Sequence, residues 1–150
     1  MSAFNAINAY TKVGLESNVT GSDPHKLIQL LFQATLVSIE SAKSAMQRGD
    51  IASKGESISK AIMFIGSGLQ SSLNREVGGE LANNLFDLYS YMITRLTEAN
   101  LKNDVRMLDE VHGLAASLKD AWESIKQPAT PTSADIPPPA NKVATLYGRA

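Results

Sequence analysis

The stretch from residue 81 to residue 125 limits the fold more than any other part of the chain. Leu81, Leu85, Leu88, Met92, Leu96 and Ala99 recur at spacings of three and four. After a break at Asn100 to Asp104 the rhythm resumes with Leu108, Val111, Ala115, Leu118, Trp122 and Ile125. On a helix of 3.6 residues per turn, each set draws one apolar stripe along one side. Neither stripe is stable in water, so the two helices must pack on each other and on further helices. The pattern predicts an all-α bundle.

Two more helices precede this pair. Asp23-Pro24 is a helix start: the carboxylate can accept from free first-turn amides, and proline at the first position lacks only an N–H that would be unpaired there. The first helix is expected from there to about Arg48, stopped by Gly49-Asp50. The second is expected from about Ile51 to Asn74, with Ile58, Ile62, Ile65, Leu69 and Leu73 turned inward. Gly78-Gly79 reads as the break before the third helix, and Asp104 as the cap of the fourth. The linkers (Gly49, Arg75 to Gly79, Lys102 to Asn103) are short, which makes sequential helices antiparallel. The expected architecture is an up-down-up-down four-helix bundle over residues 23–126. Residues 1–22 are a separate N-terminal segment in which Phe4, Ile7 and Tyr10 suit a short helical turn, while Gly14, Asn18, Gly21 and Ser22 argue against a long helix. Residues 127–150 form a Pro-rich tail, because Pro128, Pro131, Pro137, Pro138 and Pro139 cannot sit inside helices.

Composition excludes several function classes. The net charge is −1 and Lys and Arg are not gathered into a stripe, so nothing indicates a grip on a nucleic acid backbone. No cysteine is present, which removes disulfides and thiolate metal sites. The amino terminus lacks a basic segment followed by an apolar run, and no run of 18 apolar residues exists. A cytoplasmic protein with no membrane insertion is expected, and the Asn18-Val19-Thr20 acceptor sequence has no consequence there. Catalytic groupings are also missing. His25 and His112 lack the Glu-x-x-His or His-x-x-x-His spacing of bundle metal sites. Gly66, Gly68, Gly78 and Gly79 match no phosphate loop, and no serine sits in a nucleophile elbow. Neither an enzyme nor a cofactor is expected.

What remains is a surplus of apolar residues. In the first helix, Leu27, Leu30, Leu31, Ala34 and Val37 suffice for one stripe, and Ile28, Phe32, Leu36 and Ile39 make a second row. No residue from Gln29 to Ile39 is charged, and none of the 14 from Ala61 to Asn74. Met63 and Phe64 stand beside the second helix's stripe, and Phe86, Tyr89 and Ile93 beside the third's. A water-facing side normally carries Lys, Glu and Arg. These rows predict grooves on the outside of the bundle, into which amphipathic helices of a partner dock by i, i+3, i+4, i+7 anchors. Phe32, Leu36, Ile39, Met63, Phe64, Tyr89 and Ile93 are the expected contacts. The same rows also suit a homodimeric structural bundle or a general helix-binding adaptor.

An ordered set of segments resembles the flagellar export chaperone family FliS. It runs through Asn8-Ala9-Tyr10, Pro24 to Leu31, Gly49-Asp50-Ile51 and Ile58-Ser59-Lys60-Ala61. Asn84-Leu85-Phe86-Asp87-Leu88-Tyr89-Ser90-Tyr91-Met92 and Arg95 to Asn100 follow. Asn103-Asp104, Leu108, Glu110-Val111 and Ala121-Trp122 complete it, so that residues 5 to 126 are covered. Ser90 stands where the family often has Asp, and the tail after Pro128 is longer than usual. The resemblance implies a cytoplasmic chaperone that binds flagellin's C-terminal segment, prevents its premature polymerisation and keeps it exportable. Other flagellar export components are further expected partners. It also implies an N-terminal segment able to cover part of the binding surface, in which Ile7 and Tyr10 are cap or contact residues.

Overall fold

The computed structural model describes residues 23–125, and every element among them is helical. Helix α1 spans Pro24–Arg48 and α2 spans Ile51–Met63, continuing as a π-helical segment, Phe64–Gln70. Helix α3 spans Arg75–Lys102 and α4 spans Val105–Glu123. Each helix packs on the one before it, and α4 closes the ring against α1. Cross-links between α1 and α4 establish that the two run antiparallel: Gln29 with Glu123, Glu40 with His112, and Lys43 with Asp109. The expectations for the cap segment and the Pro-rich tail, including Ile7 and Tyr10, lie outside the described residues.

Local chemistry sets the turns. Asp23 accepts from the His25 amide with Pro24 at the first helical position, as expected. The α1–α2 and α3–α4 turns share one design. Gly49 (φ 75°) and Asn103 (φ 55°) adopt the left-handed conformation that closes a helix, and the aspartate that follows caps the next one. Lys54, buried on α2, joins the two turns. Its ammonium donates to the Asn100 carbonyl at 3.1 Å and to Asn103 Oδ1 at 2.7 Å. Both turns therefore lie at one end of the bundle, the loop end. The start of α1, the end of α4 and the Ser71–Asn74 connection lie at the other, the terminal end.

Two expectations for the connections need correction. The second helix does not run evenly to Asn74. From Phe64 it widens into a π-helix, with the Ser71 amide bonding the Gly66 carbonyl five residues back. Gly66 presses against the Ile93 side chain, where an added Cβ would lie 3.4 Å from Cδ1. The linker expected from Arg75 to Gly79 holds one helical turn, capped by Asn74 at the Val77 amide. The break expected at Gly78-Gly79 follows it: Gly79 is non-helical at φ 58° and ψ −134°, a conformation open to glycine.

The core differs from the sequence reading on α1. The buried row is Ile28, Leu31, Phe32, Thr35, Ile39 and Ala42, with Ala34, Ser38 and Ala45 beside it. Leu27, Leu30 and Val37, read as inward, are half-buried. Thr35 enters the core because its hydroxyl donates to the Leu31 carbonyl and leaves no donor unpaired. A helix flanked by α2 on one side and α4 on the other needs a wide stripe, so both rows of α1 are used.

Candidate functional site: an open seam between helices 3 and 4

The stripes of α3 and α4 are continuous in sequence but not in burial. At the loop end, Met92, Leu96 and Ala99 meet Leu108, Val111 and Ala115, and all six are fully enclosed. Toward the terminal end the α3 stripe continues as Leu88, Leu85 and Leu81, and the α4 stripe as Leu118 and Ile125 with Leu114 beside them, while Trp122 of that stripe stays buried. Leu85, Leu88, Leu114, Leu118 and Ile125 are only half-buried, and Leu81 is 36% exposed. These are core-type positions that the described residues cover only in part.

A polar clamp marks where the enclosed half ends. The Tyr91 hydroxyl donates to Glu110 Oε2, and Arg95 Nε donates to Glu110 Oε1 at 2.8 Å. The Arg95 guanidinium also stands over the Tyr91 ring, 5.9 Å from its centroid. The hydrogen bond from Tyr91, followed by the bond and charge of Arg95, holds the Glu110 carboxyl below its ordinary value. The same bond raises the Tyr91 phenol. The clamp fixes the antiparallel register, so Leu88 lies level with Leu114 and Leu85 with Leu118. From Leu114 to Ile125 the open stretch is about 16 Å long at 1.5 Å per residue, enough for a three-turn helix. Small uncharged residues, Asn84, Ser117 and Ala121, border it, and Glu80, Asp87 and Asp120 stand exposed nearby.

At the terminal end a ring cluster adds to the Gln29–Glu123 bond between α1 and α4. The His25 and Trp122 rings stack at 4.7 Å, Trp122 Nε1 donates to the His25 carbonyl at 2.9 Å, and His25 Nε2 contacts the Trp122 carbonyl at 3.0 Å. His25 thus joins the start of α1 to the end of α4, and His112 pairs with Glu40. Among the described residues, no three His, Cys, Asp or Glu side chains gather as metal ligands, and no helix is long and apolar enough to cross a membrane.

The contacts read from sequence divide in two. Phe32, Ile39, Phe64 and Tyr89 do not face outward. All four are buried in the bundle core: the uncharged runs that carry Phe32, Ile39 and Phe64 are faces on which the helices pack, and Tyr89 joins the same core from α3. Leu36, Met63 and Ile93 are half-buried at the edge of the core. They do not share one groove. Leu36 lies on the flank of α1 that carries Glu40 and Lys43 toward α4, whereas Ile93 meets Gly66 between α3 and α2. The open-seam leucines were missed as a site because they were read as core. The available signal was the Gly78-Gly79 pair beside them together with the uncharged border at Asn84, Ser117 and Ala121.

The family profile described as flagellar protein FliS matches residues 6–129. The chain belongs to the FliS family. It is 44% identical over 124 residues to the flagellar secretion chaperone FliS of Salmonella typhimurium, covering 83% of this chain and 92% of that one. It is 48% identical over 125 residues to the flagellar secretion chaperone FliSB of Pseudomonas aeruginosa (83% and 98%). With FliS of Bacillus subtilis it shares 35% over 120 residues (80% and 87%). The family match extends beyond the described residues at both ends and includes the whole open seam.

Proposed function

We propose that this FliS-family chain is a cytoplasmic, non-enzymatic flagellar secretion chaperone. In this reading its open seam holds an amphipathic helix from the C-terminal segment of flagellin, preventing premature polymerisation and keeping the segment exportable. The observation that carries the reading is the change in burial along one stripe. Leu81, Leu85, Leu88, Leu118 and Ile125 continue the core pattern, with Leu114 beside them, yet the described residues cover them only in part. A partner helix with apolar residues at i, i+3, i+4 and i+7 supplies the missing outer layer. The names of the relatives support the chaperone role. Leu36, Met63 and Ile93 serve as contacts on other faces when a longer segment wraps the bundle, and Ile7 and Tyr10 as cap or contact residues. Ordering a partner segment costs several kcal/mol, so a large contact is required.

The test is titration of a synthetic peptide spanning flagellin's C-terminal segment, followed by calorimetry. Leu81→Asp puts a charge at an already accessible seam position. Peptide affinity should fall at least tenfold while far-UV helicity stays at the wild-type value. Wild-type affinity in a folded Leu81→Asp protein overturns the assignment of the seam.

A further inference from the structure

The seam opens at the end of the bundle where α4 delivers the chain to its last 25 residues, since Ile125 itself lines the opening. The family match stops at residue 129, so most of that tail lies outside what the match covers. Near its end stand Val143, Leu146 and Tyr147, spaced i, i+3, i+4, flanked by Lys142 and Arg149. Such spacing puts three apolar groups on one side of a single helical turn, the pattern a helix groove accepts. The charges also agree. The tail from Lys126 carries three basic residues and one acidic residue, Asp135, whereas Glu80, Asp87 and Asp120 stand exposed around the seam.

Length permits the return. The 17 residues from Lys126 to Lys142 separate Ile125 from the apolar triplet. Even at the polyproline rise of about 3.1 Å per residue they span about 50 Å, roughly three times the open stretch. A tether of this size holds its end at an effective concentration on the order of 1 mM, so even a weak contact of three side chains is populated.

We propose that Val143, Leu146 and Tyr147 of the chain's own tail dock in the open seam between α3 and α4 and compete there with an incoming helix. The docking rests on the seam being a binding surface, and the competition on the function proposed above. The tail thereby covers leucines that water would otherwise meet and yields them to a tighter ligand.

The chain has no cysteine, so a cysteine pair can be placed in the full-length protein without background. Leu81→Cys with Leu146→Cys should form an intramolecular disulfide under mild oxidation. The rate should be at least tenfold that of Leu101→Cys with Leu146→Cys, whose first partner is 80% exposed at the loop end. Equal rates, or no crosslink in either protein, overturn the docking, as do crosslinked dimers in place of the intramolecular product. In a second measurement, Leu146→Asp should bind the flagellin C-terminal peptide about fivefold more tightly than wild type, the gain expected when a tethered competitor is removed. Unchanged affinity overturns the competition. A peptide that binds neither protein sinks the flagellin reading instead, and the crosslinking rates then decide the docking by themselves.

Discussion

Replacing Lys54 by Met tests whether the loop end is held by a buried charge. Lys54 is 5% exposed and makes no ion pair among the described residues. Its ammonium instead donates to the Asn100 carbonyl, in the last turn of α3, and to Asn103 Oδ1. The carbonyl has no helical partner, because the final four carbonyls of any helix lack one, and the negative end of the helix dipole adds to the attraction. Met keeps the length of the stem and removes both donors. A hydrogen bond from a charged donor contributes about 1.5–3 kcal/mol. Two such bonds are lost, offset in part because the ammonium no longer has to be stripped of water. The expected net loss is about 2 kcal/mol. That corresponds to a fall of roughly 10 °C in Tm for a domain of this size. Urea unfolding followed by far-UV circular dichroism should show a lower midpoint with an unchanged slope. Asn103→Gly supplies the second arm of a cycle, since glycine accepts the φ of 55° at that cap while removing the side-chain acceptor. The double variant should lose at least 1 kcal/mol less than the sum of the single variants. A Lys54→Met protein within 0.5 kcal/mol of wild type would refute the reasoning, as would strict additivity; that threshold is roughly the scatter of an ordinary surface substitution.

Two further perturbations follow from the same geometry. Ser38 is 2% exposed and its hydroxyl has no hydrogen-bond partner among the described residues, so Ser38→Ala should stabilise the bundle by about 1 kcal/mol, read as a rise in the urea midpoint; a loss of stability would mean the hydroxyl is satisfied in solution. Glu110 has a folded-state pKa below its ordinary 4.5, chiefly through the Tyr91 hydroxyl, so the clamp contributes stability above that value and loses it as pH falls through the lower folded value. The stability difference between wild type and Tyr91→Phe should therefore be full near neutral pH and shrink on acidification below about 4.5, and a difference constant down to about pH 3 would remove Glu110 as its source.

Local chemistry was the legible part of the sequence. Asp23-Pro24 and Asp104 could be read as caps because a cap is decided within three or four residues. The helix count followed from stripes that no other fold would use. Gly78-Gly79 was legible as a break, and Gly79 does interrupt the helix; the capped turn that Asn74 starts just before it left no stripe to read. The π-helical turn at Phe64–Gln70 left no periodic trace to read. Four of the expected contact residues are buried for a different reason. A run without charge means that a face is hidden from water, but not by what. At Phe32, Ile39, Phe64 and Tyr89 the covering element is another helix of the same chain. At Leu81, Leu85 and Leu88 the described helices supply no complete cover, and a period of three and four looks the same in both cases.

That ambiguity decides which substitutions can report on binding. Phe64 is fully enclosed, so an aspartate there would bury an unpaired carboxylate in the core, at a cost comparable to the whole stability of a small domain. Lost binding would then reflect lost folding. Leu81 is already accessible, so the same charge leaves the core intact and changes only what can lie against it. The two halves of the bundle thus divide the work. The loop half, with its enclosed stripes and the Lys54 bridge, maintains the fold. The terminal half, pinned through His25 and Trp122, can leave its leucines open without undoing the fold beneath them.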